Sequence, residues 1–168
     1  MEKVNEMERF FPRVGYGYDV HRLVEGRDLW LGGIKIDHEM GLLGHSDADV
    51  LIHAICDALL GAANMRDIGY HFPDTAASTL DIDSKILLRK TIELIASKGY
   101  VLGNIDATIV AERPKINPHI PAMKQCLAEV MDCDEDQISI KATTSEKMGF
   151  AGREEGMAAH AVCMIVKS

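Results

Sequence analysis

Apolar residues recur along this chain with helical spacing in three places. The spacing is clearest at 46–63, where Ser46 is the predicted N-cap of a nearly continuous apolar run and Gly61 is the residue predicted to end it. A second helix is predicted over about 84–98 and a third over about 122–131. The pattern therefore predicts three main helices.

Strands are predicted where apolar residues alternate or form short runs, at 13–20, 28–36, 104–112, 138–143 and 157–167. Gly32 and Gly33 mark a bulge or a close backbone approach, and 41–45 is a predicted loop. Because strands and helices interleave irregularly, the predicted fold class is α+β (mixed α/β), with a single sheet and helices packed on one face. One catalytic domain is predicted at 13–168, after an N-terminal extension at 1–12.

The composition indicates which partners this protein is not expected to bind and where in the cell it is expected. The chain has 168 residues, 47% of them hydrophobic, which suffices for one continuous core. Its net charge of −8 argues against nucleic acid or an anionic membrane as a partner, because phosphate surfaces need clustered cations. No apolar run has the length of a membrane span, and the first residues lack a hydrophobic signal region. Four cysteines without a C-x-x-C pair favour free thiols, so a cytoplasmic location is expected.

Asp19 and His21 form one half of a candidate metal site. They are two residues apart at the end of a predicted strand, where alternation points both side chains to the same face. Zinc binds imidazole nitrogen and carboxylate oxygen, and a catalytic zinc keeps three protein ligands and one open position. By itself the pair also fits an exposed strand end, so a third ligand is needed from elsewhere.

The first predicted helix offers that third ligand. Four side chains spaced four residues apart form one stripe of imidazole and carboxylate groups: His45, Asp49, His53 and Asp57. His53 lies in the apolar run "VLIHAIC" and is either a core histidine bonded to a backbone carbonyl or the third ligand. The pair on the strand favours the ligand. Asp49 or Asp57 would then either interact with His53 on the side away from the metal or merely cap and solvate the helix.

Two further stretches suit phosphate. His45 and Ser46 lie at a predicted loop-to-helix junction, where backbone N–H groups favour an anion. The stretch "KATTSEKMGFAGR" at 141–153 adds hydroxyl groups and cations, and Glu146 within it suits Mg²⁺, which commonly uses one carboxylate and substrate phosphates. The same stretch also fits a solvated turn of mixed charge. The chain has no Walker A loop, no G-x-G-x-x-G before a helix and no G-x-S-x-G elbow.

Five stretches follow one another in order over about 13–167: "GYGYDVHRL", "GLLGHSDADVLIHAICDALLGAA", "RDIGYHFPDT", "IDATIVAERPKI" and "IKATTSEKMGFAGREEGMAAHAV". Together they resemble the 2-C-methyl-D-erythritol 2,4-cyclodiphosphate synthase family of the non-mevalonate isoprenoid pathway. The resemblance implies a phosphorus–oxygen lyase that cyclises 4-diphosphocytidyl-2-C-methyl-D-erythritol 2-phosphate. The 2-phosphate attacks the β-phosphorus and CMP leaves.

The resemblance also implies the cofactors and the assembly. Zinc is expected at Asp19, His21 and His53, one per chain, and a second cation, Mg²⁺ or Mn²⁺, at Glu146. His45 and Thr144 match residues that stabilise the transition state. Family members are homotrimers whose sheets line a central axis, with active sites between adjacent subunits.

The remaining expected substrate contacts also come from the resemblance. His45 and Ser46 match residues that contact phosphate in the family. Val20, between Asp19 and His21, is also an expected substrate contact. The loop on the erythritol side matches Asp67, Ile68, Gly69, Phe72, Pro73, Asp74, Thr75 and Ala76. The cytidine pocket matches Ala111, Glu112, Arg113, Pro114, Lys115, Ile116 and Asn117. The residues expected to contact the CMP phosphates are Thr143, Thr144, Ser145 and Glu146. Phe150 and Arg153 match family residues near the phosphates and the trimer axis.

Departures from the family pattern remove no expected ligand. Ala48 stands where glycine is frequent, Ser145 where threonine is frequent and Glu154 where a small residue is frequent, while Arg113 and Asn117 vary the cytidine loop. Two other functions fit the same residues. One is a zinc-dependent phosphohydrolase of a small phosphorylated metabolite, with water as the nucleophile. The other is a trimeric binding module whose structural zinc has a fourth protein ligand.

Overall fold

The computed structural model describes residues 11–73 and 82–168, which form seven strands and five α-helices. The strands are β1 (Arg13–Glu25), β2 (Leu29–Leu31), β3 (Ile34–Ile36), β4 (Met40–Leu43), β5 (Tyr100–Val110), β6 (Ile138–Thr143) and β7 (Gly156–Lys167). The helices are α1 (Val50–Ala62), α2 (Ile68–His71), α3 (Ser84–Ser97), α4 (Ile120–Met131) and α5 (Gly149–Gly152). Two short 3₁₀ turns lie at Asn117–His119 and Glu135–Gln137.

Five of these strands form one mixed sheet in the order β4-β1-β7-β5-β6. β5 and β6 run parallel, and every other neighbouring pair is antiparallel. β2 and β3 form a separate two-stranded hairpin. The predicted α+β class with a single main sheet is confirmed.

The two faces of the sheet differ. On one face Gly15 and Gly17 lie under α1, so close that a Cβ atom at either would be 1.9 Å from a helix carbonyl oxygen. Ten of the 13 residues of α1 are buried, so this helix is the centre of the core. On the other face, alternate residues of β1 and β7 are exposed: Val14, Tyr16, Tyr18, Val20 and Val162. Among the described residues, the sheet is therefore covered on one side and has an exposed apolar face on the other.

Three local predictions are wrong. The segment 28–36 is a hairpin rather than one strand, because Gly32 and Gly33 both have positive φ (62° and 78°) and make its two-residue turn. Part of the predicted loop at 41–45 belongs to β4, which pairs with β1 at the sheet edge. α1 begins at Val50, so its N-cap is Asp49 and not Ser46.

β1 also runs beyond its predicted end at Val20 to Glu25, because residues 22–25 pair with β4. The other long elements agree more closely with the predicted ones, above all α3, β6 and β7. In the part of the chain that the structure describes, no helix combines the length and hydropathy that a membrane span requires.

Candidate active site

The close contact between β1 and α1 brings the three candidate metal ligands together. Asp19 and His21 continue the glycine face of β1, and His53 faces them from α1. Asp19 Oδ2 lies 2.9 Å from His21 Nε2 and 3.0 Å from His53 Nδ1, and the two histidine nitrogens are 3.2 Å apart. Three potential ligand atoms thus form a nearly equilateral triangle.

This triangle fits a tetrahedral metal ion. Ligands about 2.0–2.1 Å from a tetrahedral zinc lie about 3.3 Å from one another, close to the edges of 2.9–3.2 Å found here. Within residues 11–73 and 82–168, no other group of His, Cys, Asp or Glu converges in this way, and no fourth such residue joins these three. A tetrahedral metal ion bound by these three residues would have one position left for a further ligand.

The outer ring nitrogens of both histidines have partners of their own. His21 Nδ1 lies 3.0 Å from the carbonyl oxygen of Leu43 in β4, and His53 Nε2 lies 3.0 Å from Ser84 Oγ at the start of α3. We assign the ring protons to these outer nitrogens. The inner nitrogens then direct two lone pairs at each other and at Asp19, an arrangement that a cation between them stabilises.

The charges at the site fit the same interpretation. Burial acts to raise the pKa of Asp19, but its contacts with the imidazoles of His21 and His53 outweigh burial and lower this pKa overall. Burial acts to lower the pKa of His53, but the bond and charge of Asp19 raise it overall. The cavity therefore favours an ionised carboxylate beside positive charge.

Neither Asp49 nor Asp57 supports His53, contrary to one of the alternatives left open by the sequence. The carboxylate of Asp49 is buried and accepts hydrogen bonds from the backbone N–H groups of Gly32 (2.9 Å), Gly33 (2.7 Å) and Ile52 (3.0 Å). It thereby joins the β2–β3 turn to the start of α1. Asp57 accepts a bond from the N–H of Ile68 at 2.8 Å, and burial raises its pKa.

The residues that do support His53 were missed at the sequence level. Ser84 Oγ bonds to His53 Nε2 and donates in turn to the carboxylate of Asp47. The only hint in the sequence is that both are capping residue types, and the 37 positions between them hide their contact. The contact between the loop before α1 and the start of α3 arises only in the tertiary structure, so the sequence pattern did not reveal it.

A cavity of about 270 Å³ opens over the metal triangle. His45 and Ser46 line it as predicted, and Ser46 Oγ lies 3.2 Å from His53 Nε2. Residues on the erythritol side of the expected site also line it: Ile68, Gly69 and Phe72. Asp67 instead caps α2 through the N–H of Tyr70. Asp74, Thr75 and Ala76 lie outside the described residues.

A second, separate cavity of about 120 Å³ lies at the ends of β5 and β6. Most residues of the expected cytidine and CMP region line it: Ala111, Glu112, Pro114, Lys115, Ile116, Asn117, Thr143 and Thr144. The structure thus brings together two groups of predicted contacts, each around its own cavity. Eight predicted contacts line neither one: Val20, Asp67, Pro73, Arg113, Ser145, Glu146, Phe150 and Arg153.

The loop after β6 has an unusual backbone with a specific anchor. Glu146 (φ 53°) and Lys147 (φ 62°) both adopt the left-handed region, which non-glycine residues rarely do. One oxygen of Glu112 accepts from the N–H groups of Ser145 and Lys147, both at 3.0 Å, and from Ser145 Oγ at 3.3 Å. Thr144 Oγ1 donates to Glu146 Oε1 at 3.0 Å. We name residues 144–147 the phosphate loop.

Two of the departures from the family pattern also lie at left-handed backbone. Ala48 and Glu154 both have φ of 57°. A Cβ atom makes this conformation unfavourable by about 1–2 kcal/mol, and glycine adopts it freely. This is a physical reason for glycine to be frequent at the position of Ala48.

Comparisons with known proteins agree with this architecture. The YgbB family profile matches residues 12–166. The 2-C-methyl-D-erythritol 2,4-cyclodiphosphate synthase of Bacteroides fragilis is 73% identical over 153 residues, which cover 91% of this chain and 96% of that protein.

Two solved structures show the same fold. IspF of Plasmodium falciparum in its CDP complex matches with a TM-score of 0.82 and 36% identity, covering 94% of this chain and 97% of that one. The bifunctional IspDF of Campylobacter jejuni matches with a TM-score of 0.91 and 41% identity over 94% of this chain. This chain spans 43% of that bifunctional protein. With a family profile over nearly its whole length and closely similar relatives of one name, the chain belongs to the YgbB family, that of the 2-C-methyl-D-erythritol 2,4-cyclodiphosphate synthases.

Proposed function

We propose that this chain cyclises 4-diphosphocytidyl-2-C-methyl-D-erythritol 2-phosphate to 2-C-methyl-D-erythritol 2,4-cyclodiphosphate and releases CMP. The observation that carries the proposal is the convergence of Asp19 Oδ2, His21 Nε2 and His53 Nδ1 beside a cavity, in a member of this family. In the reaction a 2-phosphate oxygen forms a bond to the β-phosphorus. The bond from that phosphorus to the oxygen of CMP breaks, so no water enters the product.

The residues of the first cavity suit this chemistry. Phosphoryl transfer depends on positioning and charge neutralisation more than on covalent catalysis. Zinc bound by the three ligands would supply Lewis-acid polarisation of the β-phosphate. We propose that His45, exposed at the cavity beside Ser46, donates a hydrogen bond to the same phosphate and stabilises the transition state.

The phosphate loop would bind the leaving side of the substrate. We propose that Glu146 is the ligand of a second cation, Mg²⁺ or Mn²⁺, and that Thr144 stabilises the transition state beside it. Their contact of 3.0 Å supports a shared position on one phosphate group. The cytidine would occupy the second cavity, whose lining includes Ala111, Lys115 and Asn117.

We further propose that the chain acts as a homotrimer with each active site between two subunits. Asp19 is in register with Ala159, Ala159 with Ile109, and Ile109 with Ala142. Ala142, two residues before the phosphate loop, therefore lies about three strand spacings, roughly 14 Å, from Asp19. Two cations that act on one diphosphate lie only about 3.5–4 Å apart, so this separation supports a phosphate loop contributed by a neighbour.

The uncovered face of the sheet supports the same assembly. Exposed Tyr16, Tyr18, Val20 and Val162 form an apolar face that no helix within residues 11–73 and 82–168 covers. Such a face is typical of a surface that other protein covers. Three copies with these faces around a common axis would bury it, and the solution mass of the protein tests this directly.

An assay of the purified protein with the cytidine diphosphate substrate separates the candidate reactions. The synthase releases CMP and a cyclic diphosphate, whereas a phosphohydrolase with the same metal site releases orthophosphate, and ³¹P NMR distinguishes these products. A zinc chelator should abolish turnover, and added zinc should restore it. Orthophosphate as the main product, or full turnover in chelator, would overturn the proposal.

A further inference from the structure

A line of three polar side chains extends from the metal triangle into the protein. His53 Nε2 lies 3.0 Å from Ser84 Oγ, and Ser84 Oγ contacts the Asp47 carboxylate in a short hydrogen bond. Ser84 is fully buried, and Asp47 is half-buried behind it. These contacts join α1, the loop before it and the first residue of α3.

The direction of the hydrogen bonds along this line is fixed by chemistry. An ionised carboxylate can only accept, so the hydroxyl proton of Ser84 points to Asp47. The lone pairs of Ser84 Oγ then face His53 Nε2, which must carry the ring proton. With the proton on Nε2, the lone pair of His53 is on Nδ1, the atom that faces Asp19 and His21.

Asp47 is itself fixed on both sides. Its Oδ2 accepts from the backbone N–H of Ser84 at 3.0 Å, and its Oδ1 accepts from the N–H of Asp49 at 3.3 Å. Its own N–H donates to the carbonyl of Ile82 at 3.2 Å. Since both carboxylate oxygens face backbone donors, neither can be replaced by an amide NH₂ group without two donors facing each other.

We propose that Ser84 and Asp47 are positioning residues that hold the imidazole of His53 with its Nδ1 lone pair directed at the metal. This inference rests on the metal site of the proposed function and adds the group that orients one of its ligands. Partners behind metal-binding histidines typically contribute about 10–100-fold to metal affinity.

The test is the zinc affinity of the whole protein, measured by competition with a chelator of known affinity. Ser84→Ala keeps the backbone N–H that Asp47 accepts and removes only the hydroxyl, so the fold should persist. We expect zinc to bind about 10–100-fold more weakly. In the zinc-loaded protein, the NMR signal of the His53 Nε2 proton should shift, because Ser84 Oγ no longer accepts from it and Ser46 Oγ, 3.2 Å away, is left as its contact.

The second variant is Asp47→Asn, alone and combined with Ser84→Ala. Because Asp47 acts through Ser84, Asp47→Asn should weaken zinc binding when it is introduced into the wild-type protein. In the Ser84→Ala background the same substitution should change zinc affinity by no more than about twofold. Thr91→Ala is the matched control. It removes a buried hydroxyl from the same helix, two turns away from Ser84, and should leave zinc affinity unchanged.

The outcomes separate the two claims. If wild-type protein takes up no zinc, the metal site of the proposed function is wrong and the inference fails with it. If wild-type protein binds zinc and Ser84→Ala binds it within about twofold, the metal site stands and the positioning role is wrong. Additive effects of the two substitutions would also overturn it.

Discussion

The metal triangle and the phosphate loop are built in opposite ways. Asp19, His21 and His53 lie within a long strand and a buried helix, and the backbone contact of Gly15 and Gly17 with α1 sets their distance. Residues 144–147 follow the end of an edge strand and include two consecutive left-handed residues. One half is positioned by the packed core, whereas the other is positioned by hydrogen bonds to one carboxylate.

This difference suggests a division of labour. A tetrahedral metal requires ligand positions accurate to a few tenths of an ångström, which packed regular elements provide. The phosphate loop, which we propose to bind a nucleotide and a cation, would have to admit and release them, and loops on a rigid scaffold commonly do so. The two halves should therefore respond independently to substitutions, and the following predictions test that independence.

The largest effect is expected from the metal half. His53→Ala removes one of three ligands and should abolish zinc binding and lower turnover about a thousandfold or more, since Lewis-acid stabilisation is worth several kcal/mol. Metal analysis and the product assay measure both. His38→Ala is a control outside both cavities and should keep one zinc per chain. Normal turnover with one zinc per chain in His53→Ala would show that the ligand assignment is wrong.

A change in packing between β1 and α1 should disrupt the metal triangle without replacing any of its three residues. In Gly17→Ala the new Cβ atom would lie 1.9 Å from the carbonyl oxygen of Ala54, so α1 has to move away from β1. We expect a loss of about 1–3 kcal/mol or more in the free energy of unfolding, together with weaker zinc binding.

The same helix offers the matched control for Gly17→Ala. A Cβ atom at Gly61 meets nothing within 4 Å, so Gly61→Ala should stabilise the helix by up to about 1 kcal/mol. Denaturant unfolding and chelator competition compare the two variants. Equal zinc affinity in Gly17→Ala and wild-type protein would show that the strand–helix contact does not set the ligand distances.

The phosphate loop should respond to Glu112 with a smaller effect. Glu112→Ala removes the acceptor of three hydrogen bonds from Ser145 and Lys147. We expect the affinity for CDP to fall on the order of tenfold, because the left-handed loop loses its anchor, while zinc affinity stays unchanged. Calorimetry with each ligand measures this. A parallel loss of zinc affinity would contradict the independence of the two halves.

The smallest effect is expected from mild acid. The hydrogen bond from the backbone N–H of Lys147 lowers the pKa of Glu112 from its usual value of 4.5. The backbone N–H and the hydroxyl of Ser145 lower this pKa further. A lowered folded-state pKa means that the anchor contributes fully above pH about 4.5 and is lost as the pH falls through the lowered value. The amide NMR signals of Ser145 and Lys147 should shift in that range. Glu112→Gln should remove the shift, and persistence in this variant would exclude Glu112 as its cause.

Local patterns predicted most of the regular elements and the three residues that converge at the metal triangle. Alternation along a strand places Asp19 and His21 on one face whatever the strand packs against, and an imidazole in the apolar run of α1 stands out by its surroundings alone. The positions of β4 and of the β2–β3 turn were not predictable from their own residues. The edge strand depends on a partner, and the glycine pair allows both a bulge and a turn.

The sequence by itself determined the fold class, the family and the three residues that face one another at the metal triangle. Tertiary structure alone decided which carboxylates support that site. Asp49, four residues before His53, is used to fix a turn, whereas Asp47 reaches His53 through Ser84, which lies 37 positions away from Asp47. The reason is that helical spacing fixes which side chains share a face, but a side chain's hydrogen-bond partner is whichever donor the packed neighbours bring within about 3 Å.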